Sequence, residues 1–594
     1  MISDPRAVYN ERLATWDRIL ARGERRHLFI SNLRLAAAFL TVLLAWLGLG
    51  AALIAPSWAF LPVAVFLFLM VVHALVLNEQ DRARQARRYY ERGLSRLDGT
   101  WAGTGPDGAR FIDAQPYARD LDLFGRGSLF QLIDTARTEA GEETLARWLS
   151  HGARKGEIEA RQEAVAELRQ RLGFRETLAI RAGDAPVSRT GALSRWAASP
   201  PVGFRAIHAG MLAACALVTA TLLITALATT LPPDILFAWL AVQTALAFSW
   251  RRRVARVIRG VDAAAYDLGL LSELLASIEK EPFASARLQA LRGVLVVEGV
   301  LPSRRIVQLQ RYIAARDVNR NPFMKPFALL LLVGSQAAAA IDRWHAKHRQ
   351  ELARWLDVVG ELEALSSFGT YAFEHPDDRF PIVTEDGPVF SAVDLAHPLI
   401  PESVGVRNSL ELGRAAPHVL IVSGSNMSGK STLLRTIGAN AVLALAGAPV
   451  RASALTLSPL VLGATIKVED SLQEGHSRFY AEILRIRDIV AQGRAGQPVL
   501  FLLDEILGGT NSHDRRIGAA AIVRALVRAG AIGAITTHDL ALTQLVEELG
   551  PRGRNVHFDD HIVDGKMLFD YQMRDGVVEH SNALELMRSI GLDV

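Results

Sequence analysis

Val419-Leu420-Ile421-Val422-Ser423-Gly424-Ser425-Asn426-Met427-Ser428-Gly429-Lys430-Ser431-Thr432-Leu433-Leu434-Arg435 decides how the C-terminal third of the chain folds. An apolar, β-branched run leads into a glycine-rich turn, and a helix-forming stretch follows Lys430-Ser431. Strand, turn and helix in this order make a phosphate-binding P-loop. Its glycines let backbone N–H groups turn inward at a helix N-terminus, where they and the helix dipole favour an anion. Gly424, Ser425, Asn426, Met427, Ser428, Gly429, Lys430, Ser431 and Thr432 are therefore the candidate nucleotide-binding residues. Lys430 is expected to reach the β- and γ-phosphates of ATP, and the Ser431 hydroxyl to ligate Mg²⁺.

Working outward, Pro498–Leu503 is a second apolar strand, ending in Asp504-Glu505. Two acids at the end of a buried strand need a cation or a partner, because an unpaired buried charge is costly. Asp504 is expected at the metal and Glu505 as the general base that orients the attacking water. A further strand, Ala534–Thr536, runs into Thr537-His538-Asp539. A histidine after a strand is by default structural, but in this order His538 is a candidate γ-phosphate sensor. Short runs at Pro381–Val383, His418–Val422, Val499–Leu503 and Ala534–Thr536 alternate with helical stretches. That predicts an α/β domain with a largely parallel sheet beginning near 375–390.

The N-terminal two thirds read differently. Half of the 594 residues are hydrophobic, and the mean hydropathy of +0.18 is high for a purely soluble chain. From Leu35 to Asn78 no residue is charged, and Pro56-Ser57 divides the tract into Leu35–Ala55 and Trp58–Leu77. Each is about 20 residues, the length that crosses a bilayer. Ala206–Trp250 carries one charge, Asp234, beside the Leu231-Pro232-Pro233 break, and divides into Ile207–Thr230 and Leu231–Trp250. Arginines flank both tracts: Arg25, Arg26 and Arg34 before the first, Arg82 and Arg84 after it, and Arg251, Arg252 and Arg253 after the second. The turns carry no basic residue. Positive charge stays on the cytoplasmic side, so four spans in two hairpins are expected in an inner (cytoplasmic) membrane, with the soluble parts in the cytoplasm. The charged first 34 residues do not read as a signal peptide. Phe327–Ile341 is too short to span and reads as a core helix, and His73 as an interfacial histidine near a span end.

The expected organisation is thus an N-terminal helix over 1–34, a hairpin over 35–78, helical segments over 79–205 and 251–385 around a second hairpin at 206–250, and an ATPase domain over 386–594. Between the hairpins, Leu129, Leu132, Ile133 and Ala136 fall at helical spacing, as do Leu268, Leu271, Leu274 and Leu275 after the second. The single cysteine, Cys215, excludes an intrachain disulfide. A net charge of +4 argues for no polyanionic partner by itself.

The ordered motifs resemble those of the MutS family of DNA mismatch-repair ATPases, a branch of the ABC ATPases. The Asn426-Met427 pair in the P-loop, Asp504-Glu505 with Gly509-Thr510-Asn511-Ser512 and Asp514, and Gly475-His476-Ser477 with Phe479 and Glu482 carry the likeness. Ala396-His397-Pro398-Leu399, Asn408, Asn555, His557 and Leu568–Tyr571 extend it. Ser128–Asp134, Arg137-Thr138, Gly141, Arg147–Leu149, Ile158, Arg161-Gln162 and Val165 are similar to the first helices of the family's core domain. The resemblance implies a dimer with composite sites, in which Ser477 faces the γ-phosphate held by the opposite subunit, and it makes DNA a candidate partner.

The departures are as informative. The sequence shows no mismatch-reading N-terminal domain with its Phe-x-Glu wedge, and Asp504-Glu505 is followed by Ile-Leu-Gly-Gly where the family has Ile-Gly-Arg-Gly. The reading is therefore a membrane-anchored MutS-like ATPase acting as a conformational switch. The rivals are an ABC-type half-transporter and an ATP-dependent membrane scaffold. Few polar residues in the spans and no Leu-Ser-Gly-Gly-Gln signature argue against the first, and the intact Glu505 against the second.

Overall fold

The computed structural model describes residues 4–578 apart from 52, 182–190, 229–231, 296–298, 319–321, 323, 414, 426, 468–477 and 564–565. Two long helices open it, α1 (Pro5–Ala45) and α2 (Phe60–Leu97). Asp4 caps α1 by accepting from the Arg6 amide, with Pro5 in the first turn where its missing N–H is harmless. The expected boundaries at 34 and 78 are not breaks: the charged N-terminal stretch and the apolar tract share one helix, and the second apolar tract runs on into the arginine-rich stretch. The distal halves expose Leu35, Phe39, Trp58, Phe60, Phe68 and Val71.

Short helices α3 (Leu129–Ile133), α4 (Glu139–Ser150), α5 (Lys155–Gln170), α6 (Leu172–Arg181) and α7 (Ala192–Ala198) follow. Ser128 caps α3 through the Gln131 amide and Thr138 caps α4 through the Gly141 amide. The Asp120–Ser128 stretch, expected as helix, is a turn-rich loop. Then come α8 (Ala206–Ala228), α9 (Pro233–Ile278), α10 (Ala286–Leu295), α11 (Pro302–Asp317), α12 (Lys325–Leu330) and α13 (Val333–Glu374). Among the described residues three helices are long and apolar enough to cross a membrane, by length and composition only: Pro5–Gly50, Pro56–Leu97 and Ala206–Ala228. The fourth expected span lies in α9, which is not among them and does not end at Trp250. Its Gln243 is 4% exposed, bonds the Thr219 hydroxyl and donates to the Leu330 carbonyl at 2.7 Å.

That carbonyl is free to accept because the run Phe327–Ile341 is not one helix. It breaks at Leu331-Leu332, where Leu332 has φ +52°. Nor is all of it core: Phe327 and Leu329 are more than half exposed, whereas Ala338, Ala339 and Ile341 are buried. His73 packs between the two helices, buried and bonded to Arg34 and, at 2.8 Å, to His27 of α1.

After α13 the chain builds two sheets. A four-stranded sheet has the order β1-β5-β2-β3, from β1 (Ile382–Val383), β2 (Val389–Leu395), β3 (Asn408–Gly413) and β5 (Ala454–Leu457). A six-stranded sheet has the order β10-β9-β4-β8-β7-β6, from β4 (Val419–Ser423), β6 (Val461–Thr465), β7 (Val499–Asp504), β8 (Ile532–Thr537), β9 (Gly553–Val563) and β10 (Lys566–Asp575). Its strands run parallel from β9 to β6, and β10 is antiparallel to β9. Buried on both faces, β4 and β7 are near-continuous apolar runs, as parallel strands are. Helices α14 (Lys430–Ala446), α15 (Arg478–Arg494), α16 (Ser512–Arg528), α17 (Leu540–Thr543) and α18 (Leu545–Leu549) complete this domain. The mainly antiparallel first sheet was not foreseen, and β1 places the start of the α/β domain slightly ahead of 386.

Candidate functional site

Parallel strands β4, β7 and β8 deliver their C-terminal ends to one edge of the sheet, where open α/β sheets bind ligands. The loop between β4 and α14 turns through left-handed backbone at Gly424 (φ +145°), Met427 (φ +66°) and Gly429 (φ +107°). Only glycine fits at Gly424, where an added Cβ would stand 2.9 Å from the Phe558 carbonyl oxygen. Lys430, 4% exposed, donates to the Gly424 and Ser425 carbonyls at 2.9 and 2.7 Å. Burial lowers its pKa from the ordinary lysine value, and Glu505 and Asp504 pull it back up.

The Asp504 carboxylate accepts from the Thr536 hydroxyl at 2.5 Å. That hydroxyl in turn accepts from the Glu505 amide at 3.0 Å, so β8 fixes both acids of β7. Glu505 has φ +45°, and its carboxylate lies 3.7 Å from Lys430 Nζ and 2.5 Å from His538 Nε2. His538 Nδ1 faces the Gly424 carbonyl at 3.1 Å, so this side chain joins the end of β8 to the P-loop. The structure thus brings Lys430, Asp504, Glu505 and His538 together from three separate stretches of sequence. Ser431, Asp504 and Glu505 line one cavity of about 420 Å³, with Thr465 and Glu482. Asn426 and Ser477 lie outside the described residues.

Two buried hydroxyls here have no hydrogen-bond partner among the described residues: Ser428 Oγ in the P-loop and Thr465 Oγ1 in the cavity. Together with the buried Lys430 ammonium, these hydroxyls make an environment suited to a phosphate. No cluster of three or more His, Cys, Asp or Glu suited to a metal exists among the described residues. Of the oxygens lining the cavity, the Ser431 hydroxyl and the Asp504 carboxylate fit Mg²⁺, which keeps several waters and takes the remainder from substrate phosphate.

On the other side of the loop a second cavity, about 530 Å³, is lined by His397, Asn408, Met427, Gly429, Thr432 and Tyr571, among others. Asn408 holds its wall together by donating to the Tyr571 carbonyl at 3.0 Å and accepting from the Met573 amide at 2.7 Å. Burial lowers the pKa of His397 to about 4. Thr536 and Thr465 had no site role in the sequence reading, and Tyr571 entered it only within the family's C-terminal motif. Thr536 stands at the end of the predicted strand before His538, which was the one available signal for it.

The family model for MutS domain V matches residues 420–593. A DNA mismatch repair protein MutS from Haloquadratum walsbyi is 32% identical over 245 residues, covering 40% of this chain and 25% of that protein. Another from Geobacillus kaustophilus is 32% identical over 242 residues, 40% of this chain and 26% of its own. An endonuclease MutS2 from Thermomicrobium roseum is 33% identical over 264 residues, 43% and 30% respectively. The chain therefore spans less than a third of the length of these relatives. The match falls on the domain that carries the P-loop, and it is in this domain that the chain is similar to the MutS family.

Proposed function

We propose that this chain is a membrane-anchored MutS-type ATPase that couples ATP binding and hydrolysis to a conformational switch. The observation that carries the reading is the convergence of Lys430, Asp504, Glu505 and His538 on the P-loop, around the cavity that Ser431 also lines. The backbone amides of 424–432 would cradle the phosphates and Lys430 would bridge the β- and γ-phosphates. Ser431 and Asp504 would hold Mg²⁺, which when bound neutralises charge developing on the phosphate oxygens. Glu505 would take a proton from the attacking water as its oxygen bonds to the γ-phosphorus and the bond to the β–γ bridging oxygen breaks, leaving ADP and phosphate. His538 both orients Glu505 and faces the γ-phosphate position. The second cavity, beside Tyr571, suits the nucleoside end.

Three long apolar helices with exposed leucine, phenylalanine and tryptophan support anchoring in a bilayer. Flanking arginines support an inner-membrane, cytoplasm-facing placement. The family relation supports a homodimer with Ser477 acting across the interface, and DNA as a partner; the printed names of the relatives connect them, not this chain, to mismatch repair. Glu505→Gln tests the chemistry. It should bind Mg-ATP normally, accumulate as an ATP-bound dimer and lose turnover by about 10²–10⁴-fold, the range for a general base. Turnover at the unsubstituted rate would refute the assignment. Duplex binding titrated with salt tests the DNA element, because phosphate contacts strengthen as salt falls; no binding at low salt removes it.

A further inference from the structure

The turn that carries Glu505 is gripped from two sides by residues that take no part in the proposed chemistry. Glu505 and Leu507 have φ +45° and +60°, a left-handed conformation that non-glycine residues hold only where their surroundings enforce it. From α16, Arg515 donates to the carbonyls of Leu507 (3.2 Å), Gly508 (3.1 Å) and Thr510 (3.4 Å). From α15, Glu482 accepts from the Leu507 amide at 2.8 Å. One turn earlier on the same helix, Phe479 lies against Gly509, where an added Cβ would stand 2.8 Å from the phenylalanine Cβ.

Glu482 is 7% exposed and lines the cavity of Ser431, Asp504 and Glu505. A buried acid beside a site for phosphate repels the ligand, so its presence requires a task that outweighs that repulsion. Its bond to the Leu507 amide supplies one. We propose that Glu482 is a positioning residue: it holds the left-handed turn that presents Glu505 and ties the general base to helix α15. The proposal rests on the ATPase reading above. It adds that the base is set by α15, whose first residue, Arg478, directly follows the segment holding Ser477. Displacement at the start of α15 is then felt by Glu505 of the same subunit.

The test uses the full-length protein in lipid nanodiscs, with steady-state turnover, binding of a fluorescent ATP analogue, and hydrogen exchange over 505–511. Glu482→Ala should lower kcat about tenfold to a hundredfold, the effect of misplacing a catalytic group by about an ångström, with KM and analogue binding unchanged. Exchange at the Leu507 amide should quicken in step. Glu482→Gln keeps an oxygen acceptor for that amide and should restore kcat to within about threefold of the unsubstituted protein, since a neutral bond of this kind replaces the charged one at modest loss. Unsubstituted turnover in Glu482→Ala overturns the proposal, as does a Glu482→Gln variant as slow as the alanine form. The isosteric glutamine variant decides by itself should the alanine form not fold. Absence of hydrolysis by the unsubstituted protein would instead overturn the ATPase reading itself.

Discussion

Hairpin α1–α2 is joined to the helices that follow through two buried carboxylates, Glu176 of α6, which bonds Trp16, and Glu374 of α13, and removing the second gives a quantitative test of how the two parts are joined. Glu374, at the end of α13 and 4% exposed, accepts two bonds from Arg96 of α2 at 2.7 and 2.6 Å and one from the Tyr9 hydroxyl of α1 at 3.0 Å. Glu374→Ala would leave the Arg96 guanidinium, whose side chain is only 10% exposed, without its partner. Breaking a buried pair on one side costs about 3–5 kcal/mol. Arg96 lies near the end of its helix and can reach water by a small movement, so the lower bound, about 3 kcal/mol, applies. Since each factor of ten corresponds to about 1.4 kcal/mol, the open fraction of the joint should rise by about a hundredfold. Hydrogen exchange over 5–16 and 89–97 reads that change, while ATP-analogue binding stays as it was. Replacing both partners by methionine should recover most of the protection, because apolar replacement of a buried pair is often neutral. The reasoning fails if the single substitution changes exchange by less than about threefold, or if the double variant is as loose as the single one.

Thr536→Val should lower kcat by about tenfold to a hundredfold with analogue binding near normal, since one hydroxyl serves both Asp504 and the Glu505 amide and each lost bond costs about 1–3 kcal/mol; steady-state kinetics checks it, and an unchanged kcat refutes it. His375 makes a pH prediction. Burial first, then the positive Arg451 and Arg96, push its pKa down from 6.5 to about 3. The folded chain keeps it neutral where the unfolded chain would charge it, so its stabilisation is complete above pH 6.5 and drains away as pH falls toward 3. Asp378, raised by burial to about 6, acts with the opposite sign, losing its contribution as pH rises. The difference between the unsubstituted protein and His375→Gln isolates the histidine: the variant should show a shallower loss of stability from pH 6.5 to 4 in chemical denaturation, and identical slopes would refute it.

The positions of the P-loop, the two acids and His538 at strand ends were legible because each is announced by its own neighbours: an apolar strand ends and a polar residue follows. The parallel sheet was legible for the same reason. What escaped depended on partners far away in sequence. Thr536 matters only because β8 lies beside β7, and Glu482 because α15 packs on the turn after Asp504. Gly141, quoted for its place in a family motif, finds its physical reason in the fold: a side chain there would collide with Glu363. Hydropathy marks where apolar stretches lie, not where helices continue. It divided α1 and α2 where charge begins, although the backbone continues because nothing in those residues breaks a helix. At the start of α9, counted with the spans, Gln243 finds its partners on α8 and at the Leu330–Leu332 break, which hydropathy does not reveal.

Helix α13 lies between the P-loop domain at one end of the chain and the apolar helices at the other. Its 42 residues extend about 63 Å at 1.5 Å per residue, and three buried acids mark the points where other parts attach. Near its start, Asp342 accepts from the amides of Val202, Gly203 and Phe204 at 2.7, 2.9 and 2.7 Å, fixing the approach to α8. Further along, Glu363 accepts from the Arg137 and Thr138 amides at 3.0 and 3.2 Å, fixing the turn between α3 and α4. At its end, Glu374 holds the first hairpin. The loop before α3 then reaches the ATPase domain: Asp120, fully buried, accepts from the Ile466 and Lys467 amides and from Arg485 of α15. Asp122 pairs with Lys467 at 2.8 Å and stands 3.7 Å from Arg435 of α14, the helix that opens at Lys430. Each junction is a carboxylate gathering donors, which specifies geometry more sharply than apolar packing does, because a carboxylate displaced from its donors is left buried and unpaired. Loosening any one of these acids should therefore decouple its own attachment while leaving the others in place.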